Sequence, residues 1–488
     1  MKKIFMSVVL VAGMLLSIYS CSAETKSAGE NNNAPENPGE NMTEPETEPV
    51  VIPDNLPEFD FGGYNFKIYL REHVSYNEDF HAESENGDII NDTVYKRNKT
   101  VEDRFNINIA PVFYNTDDWP MNDAKKVIKS GDDAYDLMGC HGGGAFAWAR
   151  ENLTIDWFEN MPYIDFGAPW WSGDIIKNFA AGGKLYCAAG DLSHNGLAST
   201  ICLLFNKNLF QDLNIDYPYQ DVINGAWTLD KFISIVKSGP ADLNGDGAMT
   251  PQEDRFGFHI YNEWNYPISV LYCGGDRIIS IDGDGRLSLT PYNDRTVSIF
   301  EKFFDMINSG AAYVGGIKAG EDSADLNIFR EGRALFYSAV MKDIIEYRAM
   351  EDDIGIIPLP KYDEATPKYY ANIDAGQNVF AVPVTASELD RTSVIVEALC
   401  AEGHRTVMPV FYETALKTKF ARDDESAEML DYIKNSRVYD YGYFDSATAG
   451  DLAYIGRHLV TSRNPNFTSF YERNEARAQK NIDKLNGD

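Results

Sequence analysis

Two stretches of this chain each alternate strand patterns with helical patterns. In the first stretch, Phe66, Ile68 and Leu70 recur at every second position, a period that predicts a strand. A helical spacing of apolar residues follows, and two more strands are predicted near 107–112 and 135–139 with a helix between them. Strand, helix, strand, helix and strand in this order predict a doubly wound parallel sheet.

The same alternation returns after residue 202. Thr228 is predicted to cap a helix that begins at Leu229, with Trp227 packing against Phe232 as a hydrophobic staple. Later strands are predicted at 256–260, 277–289, 334–337, 354–357 and 379–382. The C-terminal third is predicted to be mostly helical. Because 488 residues exceed what one hydrophobic core usually supports, we predict an α/β fold with two lobes.

The charge balance and the cysteine count exclude some classes of protein. The chain has 43 Lys+Arg and 75 Asp+Glu, a formal net charge of −32, which repels the phosphates of nucleic acids. Nucleic acid is therefore excluded as a partner. Six cysteines are too few for a disulfide scaffold. Five of them lie among apolar or Gly-rich residues and are predicted to be buried thiols, with a single disulfide as the alternative.

The N-terminus is typical of an exported protein. Lys2 and Lys3 precede a short apolar stretch, which predicts a signal peptide over residues 1–20. The sequence Ser20-Cys21 at its end resembles a bacterial lipobox, which implies lipidation of Cys21 and anchoring at the extracellular face of the membrane. The alternative is an ordinary secretory signal. Residues 21–54 are rich in Pro and Glu and are predicted to be a disordered tether spanning about 30 Å.

Several segments resemble extracellular solute-binding proteins of ABC importers, in the maltose-binding-like group (family 1). The segments are 85–92, 169–171, 183–186, 205–207, 227–230, the loop from Asp242 into 256–258, and 329–334. Their order and spacing cover most of residues 60–360. The resemblance implies a periplasmic-binding-protein-like fold of type II, with a ligand cleft between two lobes that are joined by crossing strands.

The resemblance also implies where the lobes and the crossings lie. Residues 55–190 with about 335–375 form the first lobe, and residues 191–334 with about 376–488 form the second. The crossings are expected near 186–197, 329–340 and 378–384. The implied partners are a small carbohydrate and the membrane subunits of an ABC permease, and the protein is expected to be a monomer.

One loop matches the calcium-binding pattern D-x-N-x-D-G-x5-E in full. Its expected ligands are Asp242, Asn244, Asp246, the carbonyl of Ala248, and Glu253. Oxygen atoms at these positions suit the coordination of Ca²⁺. A strand is predicted directly after the loop, so the ion is expected to be structural. The alternative is a metal-free turn.

Residues that suit sugar binding lie beside the expected crossings, in an aromatic stripe near the C-terminus, and in segments that resemble those with which the family faces or contacts its carbohydrate. Sugar C–H faces pack on aromatic rings, and sugar hydroxyls bond to carboxylates and amides. The candidate ligand-binding residues are His141, Asp191, Ser193, His194, Asn195, Glu263, Trp264, Tyr266, Tyr337 and Tyr443. Trp264 is the strongest candidate. The alternative for Trp264 and Tyr266 is that they fill the core of a lobe, and for His141 that it is a structural histidine.

Little in the sequence points to catalysis. The stretch Cys140-His141 lacks the companion motifs of nucleophilic enzymes and of phosphate-binding loops. The sequence therefore predicts a lipid-anchored binding protein that captures a mono- or oligosaccharide without changing it. Two alternatives remain open: a cell-surface glycoside hydrolase, and a sensory or polysaccharide-capture lipoprotein of the same fold.

Overall fold

A computed structural model describes residues 52–72, 79–114, 121–315, 327–347, 349–413 and 424–488. The predicted signal peptide, Cys21 and most of the predicted tether lie outside these residues. Within the described ranges, a search for helices long and apolar enough to span a membrane found none.

The strands are, in chain order, β1 Tyr64–Arg71, β2 Ile107–Tyr114, β3 Leu137–His141, β4 Ile201–Asn206, β5 Phe256–Ile260, β6 Ile279–Ile281, β7 Leu287–Leu289, β8 Ala312–Val314, β9 Ala334–Val340, β10 Ile354–Ile357, β11 Ala371–Asn372, β12 Asn378–Ala381 and β13 Arg437–Val438. The predicted strands are confirmed, and the predicted 277–289 segment forms the β6–β7 hairpin.

The α-helices are, in chain order, α1 Ile89–Phe105, α2 Asn122–Lys129, α3 Gly142–Arg150, α4 Trp157–Asn160, α5 Gly173–Phe179, α6 Asn195–Ala198, α7 Lys207–Asp212, α8 Tyr219–Ile223, α9 Leu229–Ser238, α10 Tyr266–Ser269, α11 Asp294–Asn308, α12 Ile344–Tyr347, α13 Leu389–Arg405, α14 Val407–Pro409, α15 Asp424–Ser436, α16 Tyr441–Phe444, α17 Ser446–Ala449, α18 Ile455–Thr461 and α19 Phe467–Asn486. Short 3₁₀ turns span Ala181–Gly183, Val270–Gly274, Met341–Asp343 and Gly450–Tyr454.

Local sequence signals account for the helix starts. The Asp88 side chain accepts hydrogen bonds from the first backbone N–H groups of α1, which satisfies donors that have no partner within the helix. Thr228 caps α9 by accepting from the Lys231 N–H at 3.4 Å. The Trp227 and Phe232 rings lie 5.8 Å apart in an edge-to-face arrangement, so the predicted staple is confirmed.

Two sheets organise the chain. The first has the order β12-β3-β1-β2, in which β1 is parallel to β2 and β3 and β12 is antiparallel to β3. The second has the order β10-β4-β9-β5-β8. Here β5 is parallel to β9 and β8, whereas β4 is antiparallel to β9 and β10. The predicted parallel arrangement of β1, β2 and β3 is confirmed.

The late strands join different sheets from those implied by the family resemblance. Strands β9 and β10 lie in the second sheet, although 335–375 were expected in the first lobe. Strand β12 lies in the first sheet, although 376–488 were expected in the second lobe. The 329–340 segment enters a central strand and is not a crossing. Hydrophobic runs mark these strands as buried, but pairing partners distant in sequence leave no local signal.

The C-terminal helices divide between the two parts of the fold. Helix α13 packs against α1, beside the first sheet, while α18 and α19 pack against α10 and α11, which follow β5 and β7. The five cysteines at 140, 187, 202, 273 and 400 are free and buried. The prediction of buried thiols is confirmed.

Candidate functional site

One edge of the second sheet brings three chain segments together. Strands β5 and β9 are parallel, so their carboxyl ends meet at the same edge, and the antiparallel β4 begins there with Ile201 opposite Val340. The segment that returns to the first sheet passes the same place, because the Asp374 N–H donates to the Ser199 carbonyl at 3.0 Å. In α/β folds, ligands bind at the carboxyl ends of parallel strands.

A cavity of about 540 Å³ opens at this edge. Its lining comes from the segment after β5, from the end of β9 with the turn that follows, and from the segment that returns to the first sheet. These parts supply Tyr261, Trp264, Tyr337, Lys342, Asp343 and Asp374. The volume is in the range of about 300–1,000 Å³ typical of small-molecule sites.

Trp264 presents an accessible ring to this cavity. Its side chain is 43% exposed, and the Arg457 guanidinium lies 3.8 Å from the ring centroid. Arg457 also contacts Glu263 at 3.5 Å, and the Tyr454 ring lies 5.3 Å from Trp264. Because Arg457 covers one face of the indole, a ligand can pack only on the other face. Glu263 therefore acts here as the partner of the residue that holds Trp264.

Two tyrosines extend the aromatic lining. Tyr261 is 54% exposed, and its backbone N–H donates to Ser338 Oγ at 2.9 Å. Tyr337 is buried, with its ring stacked on Phe329 at 5.5 Å and 5.0 Å from Tyr347. Burial raises the pKa of Tyr337, so its hydroxyl remains protonated and can donate or accept a hydrogen bond.

Carboxylates lie beside these rings. Asp343 accepts from the Val340 N–H at 2.9 Å, and burial raises its pKa to about 6. Asp374 accepts from the Gly376 N–H at 2.6 Å, and burial raises its pKa as well. Lys342 attracts both carboxylates without offsetting the effect of burial.

A second cavity of about 510 Å³ shares Lys342 and Glu346 with the first. The N-terminal end of α1 and the segment before it supply Asp79, Asp88 and Asn91 to its lining, together with His194 and Asn195. The two cavities therefore join the edge of the second sheet to residues that pack beside the first sheet.

His194 and Asn195 are held by their surroundings. Burial lowers the pKa of His194 to about 3, so the imidazole is neutral, and it lies 4.2 Å from the Phe411 ring. Asn195 is buried, and its Oδ1 accepts from Ser199 Oγ at 3.2 Å. Ser193 donates to the Asp79 carboxylate instead of facing either cavity.

The remaining predicted ligand residues lie away from both cavities. Asp191 bonds to His404 Nδ1 at 2.6 Å and, with Ser193, lines a separate chamber of about 100 Å³. His141 caps α3 by accepting from the Gly143 N–H at 3.2 Å, and burial lowers its pKa to about 3. Tyr266 is buried with its ring edge-on to Phe258. Tyr443 is buried and accepts from the Ala375 N–H at 3.3 Å.

Several cavity residues were not predicted from the sequence. Lys342, Asp343 and Asp374 carry no motif and lie in short connecting segments. The available signal was their position, since Lys342 and Asp343 come directly after a strong apolar strand. The position of these two residues predicts a place in the cavity only when β9 is known to be parallel to β5, because the carboxyl ends of the two strands then meet at the same edge.

The predicted calcium loop has a defined hydrogen-bond pattern. The Asp242 carboxylate accepts from the N–H groups of Gly245 and Gly247 at 2.7 and 2.8 Å, and Gly247 has a φ of 84°, which favours glycine. Asn244 Nδ2 donates to Glu253 at 2.7 Å. Over the described ranges, no group of three or more His, Cys, Asp or Glu side chains is close enough together to hold a metal ion. The donor set is nevertheless all oxygen, as Ca²⁺ requires.

Comparison with known proteins shows the fold. No family model matches the sequence, and no curated protein sequence matches it. The structure is similar to the cyclic α-maltosyl-1,6-maltose binding protein of Arthrobacter globiformis, with 12% identity, a TM-score of 0.59, and 87% of this chain and 100% of that chain covered.

Two further solved structures have the same fold. One is the galacto-N-biose/lacto-N-biose I-binding protein of a Bifidobacterium longum ABC transporter, with 15% identity, a TM-score of 0.55, and 87% and 98% coverage. The other is an extracellular solute-binding protein of family 1 from Alicyclobacillus acidocaldarius, with 11% identity, a TM-score of 0.51, and 87% and 99% coverage. The neighbours are binding proteins of the maltose-binding-like class. The predicted two-lobed, periplasmic-binding-protein-like α/β fold is confirmed.

Proposed function

We propose that this protein is the extracellular binding component of an ABC importer and that it captures a carbohydrate. The ligand is held in the cleft between the lobes, is passed to a membrane permease, and leaves unchanged. The fold supports this proposal, because its structural neighbours are binding proteins of ABC transporters. Lobe closure is favoured only by contacts that the closed form makes and the open form lacks.

The observation that carries the proposal is the chemistry of the 540 Å³ cavity. Trp264 and Tyr261 are large, exposed rings beside the carboxylates of Asp343 and Asp374. An aromatic face packs on the C–H face of a sugar, while carboxylates accept hydrogen bonds from its hydroxyls. A purely apolar ligand would leave the remaining acceptor positions of those carboxylates unsatisfied, at a cost in free energy.

A substitution at Trp264 tests the proposal. Trp264→Ala removes a ring face of roughly 80–100 Å², worth about 2 kcal/mol at ~25 cal/mol/Å², so saccharide affinity is expected to fall roughly 30-fold. A thermal-shift panel of mono- and oligosaccharides, followed by calorimetry, measures the change. The matched control is Tyr292→Ala, because Tyr292 is 44% exposed and lies outside both cavities. Saccharide binding that survives Trp264→Ala unchanged contradicts the cleft assignment.

The same panel separates capture from hydrolysis. A glycoside hydrolase needs two carboxyl groups separated by roughly 5–10 Å across the sugar, and Asp343 and Asp374 share one cavity. Binding without release of reducing sugar supports capture, and release of reducing sugar supports the hydrolase. A sensory or polysaccharide-capture role is supported instead if the protein binds saccharide but no permease delivers it to the cell.

We also propose an anchored location and a bound calcium ion. Lipidation of Cys21 would hold the protein at the extracellular face of the cell membrane, with residues 21–54 as the tether, and the protein would act as a monomer. The loop of Asp242, Asn244, Asp246, Ala248 and Glu253 would bind Ca²⁺ as a structural ion, supported by its oxygen-only donor set and by the backbone conformation of Gly247.

A further inference from the structure

The charges around the cleft are unequal in number. Among the residues that the structure describes, five acidic and two basic side chains line the two cavities. The acidic residues are Asp79, Asp88, Asp343, Glu346 and Asp374, and the basic residues are Arg330 and Lys342. A cavity with this balance attracts positive charge, and its low-dielectric walls strengthen the attraction.

Some of these charges are already balanced by neighbours. Arg330 lies 3.6 Å from Glu346. Burial raises the pKa of Asp79 to about 6, although Arg97 favours its ionised form. Asp88 caps α1, where the helix N-terminus favours a negative charge. Among the described residues of the first cavity, this leaves Asp343 and Asp374 beside Lys342.

Asp343 and Asp374 have incomplete charge compensation. Lys342 attracts both carboxylates, and Arg71 adds a weaker attraction on Asp374. Burial outweighs these attractions and raises the pKa of each group, for Asp343 to about 6. Both carboxylates line the same cavity as the exposed rings of Trp264 and Tyr261.

We propose that the ligand of this cleft is a carbohydrate that carries a protonated amino group, and that this group lies beside Asp343 and Asp374. The inference rests on the proposed function and narrows its substrate class to amino sugars. An ammonium group would add a positive charge beside the two carboxylates, and its N–H groups would form charge-assisted hydrogen bonds with them. The sugar ring then packs on Trp264. A neutral sugar can pack on Trp264 but cannot form the charge-assisted hydrogen bonds with the carboxylates.

Matched sets of hexoses test the inference on the full chain. The probes are glucose, glucosamine and N-acetylglucosamine, with the corresponding galactose and mannose sets, measured by thermal shift and calorimetry at pH 7 and low salt. The amine is expected to bind about tenfold more tightly than the neutral and N-acetylated members of its set. Raising the salt concentration should reduce that preference by screening the charges.

Variants locate the preference. Asp374→Asn keeps an oxygen to accept from the Gly376 N–H but removes the charge, so the amine preference should fall to about twofold or less. Asp343→Asn provides a second version of the same test. The matched control is Asp284→Asn, an equal change of charge in the exposed β6–β7 turn, which should leave the preference unchanged. Trp264→Ala should weaken the amine and the neutral sugar alike.

The outcomes separate this inference from the proposed function. Equal or tighter binding of the neutral or N-acetylated sugar overturns the amino-sugar inference and leaves carbohydrate capture standing. Failure of every amine to bind also overturns the inference. In that case, binding of neutral oligosaccharides is measured next. The proposed function fails only if these sugars do not bind either. An amine preference that persists in both Asn variants overturns the assignment to Asp343 and Asp374.

Discussion

Glu397 on α13 is a buried carboxylate that holds two neighbouring tryptophans. It accepts from Trp170 Nε1 at 2.9 Å and from Trp171 Nε1 at 2.8 Å. Glu397→Ala leaves two buried indole donors without an acceptor, at about 1–3 kcal/mol each. We expect the free energy of unfolding to fall by at least about 2 kcal/mol in urea titrations. Glu301→Ala, on the exposed face of α11, is the control, and equal stability of the two variants would contradict the account.

The same residue makes stability depend on pH. Burial raises the pKa of Glu397 to about 7 from an ordinary value of 4.5, despite the indole hydrogen bonds. The folded state therefore holds this proton more tightly than the unfolded state does. The stabilisation that comes from protonated Glu397 is greatest below pH 4.5 and is lost as the pH rises to 7. Above pH 7, Glu397 no longer makes stability depend on pH.

Comparison with a variant isolates this effect from other buried acids. Asp79 and Asp343 also have a pKa raised to about 6. The pH dependence of wild-type stability is therefore the sum of contributions from several buried carboxyl groups. Glu397→Gln cannot ionise. We expect the stability of the wild type, measured relative to Glu397→Gln by urea unfolding, to fall between pH 5 and pH 7.5. A constant difference across that interval would show that Glu397 titrates normally.

At the scale of single residues, the sequence analysis named some of the residues that line the candidate cavity and missed others. Trp264 was predicted because its segment resembles one with which the family contacts carbohydrate, and the structure gives it an exposed ring that lines the cavity. Tyr266 belongs to the same run but faces the core. Asp374 was missed, because its place beside Ser199 depends on a bridge between distant segments.

At the scale of elements, local patterns predicted most of the fold. The period of two in β1 and the Thr228 cap of α9 are short-range signals, and each is present in the structure. The sequence pattern left open which sheet β9, β10 and β12 join, and the family resemblance placed them in the other lobes from those in which they pair. Their apolar sequences suit either sheet, so only the packed structure decides between them.

The calcium loop is an element whose proposed ligand can be removed. If the loop binds Ca²⁺, adding the ion to EDTA-treated protein should raise the melting temperature, because a ligand that binds only the folded state contributes about 2.7 kcal/mol at 100 times its Kd. Glu253→Gln removes the expected bidentate ligand and should abolish the rise, whereas Glu301→Gln should not. No response to millimolar Ca²⁺ in calorimetry and no Tb³⁺ luminescence would contradict calcium binding.

At the scale of the whole molecule, the chain passes repeatedly between two sheets and places its cavities where they meet. Lys342 and Glu346 line both cavities, so a ligand that contacts them touches residues packed beside each sheet. Under the proposed function, such a ligand would favour the closed arrangement of the lobes. The net charge of −32 agrees with the acidic lining of the cleft, and it disfavours strongly anionic solutes.

A crystal structure with the saccharide that gives the largest thermal shift tests the central claim most directly. We expect an intact sugar packed on the free face of Trp264, within hydrogen-bond distance of Asp343 or Asp374, and in contact with at least one residue of the second cavity such as Asn91 or His194. A sugar bound elsewhere on the surface, or found cleaved in the cleft, would contradict capture by lobe closure.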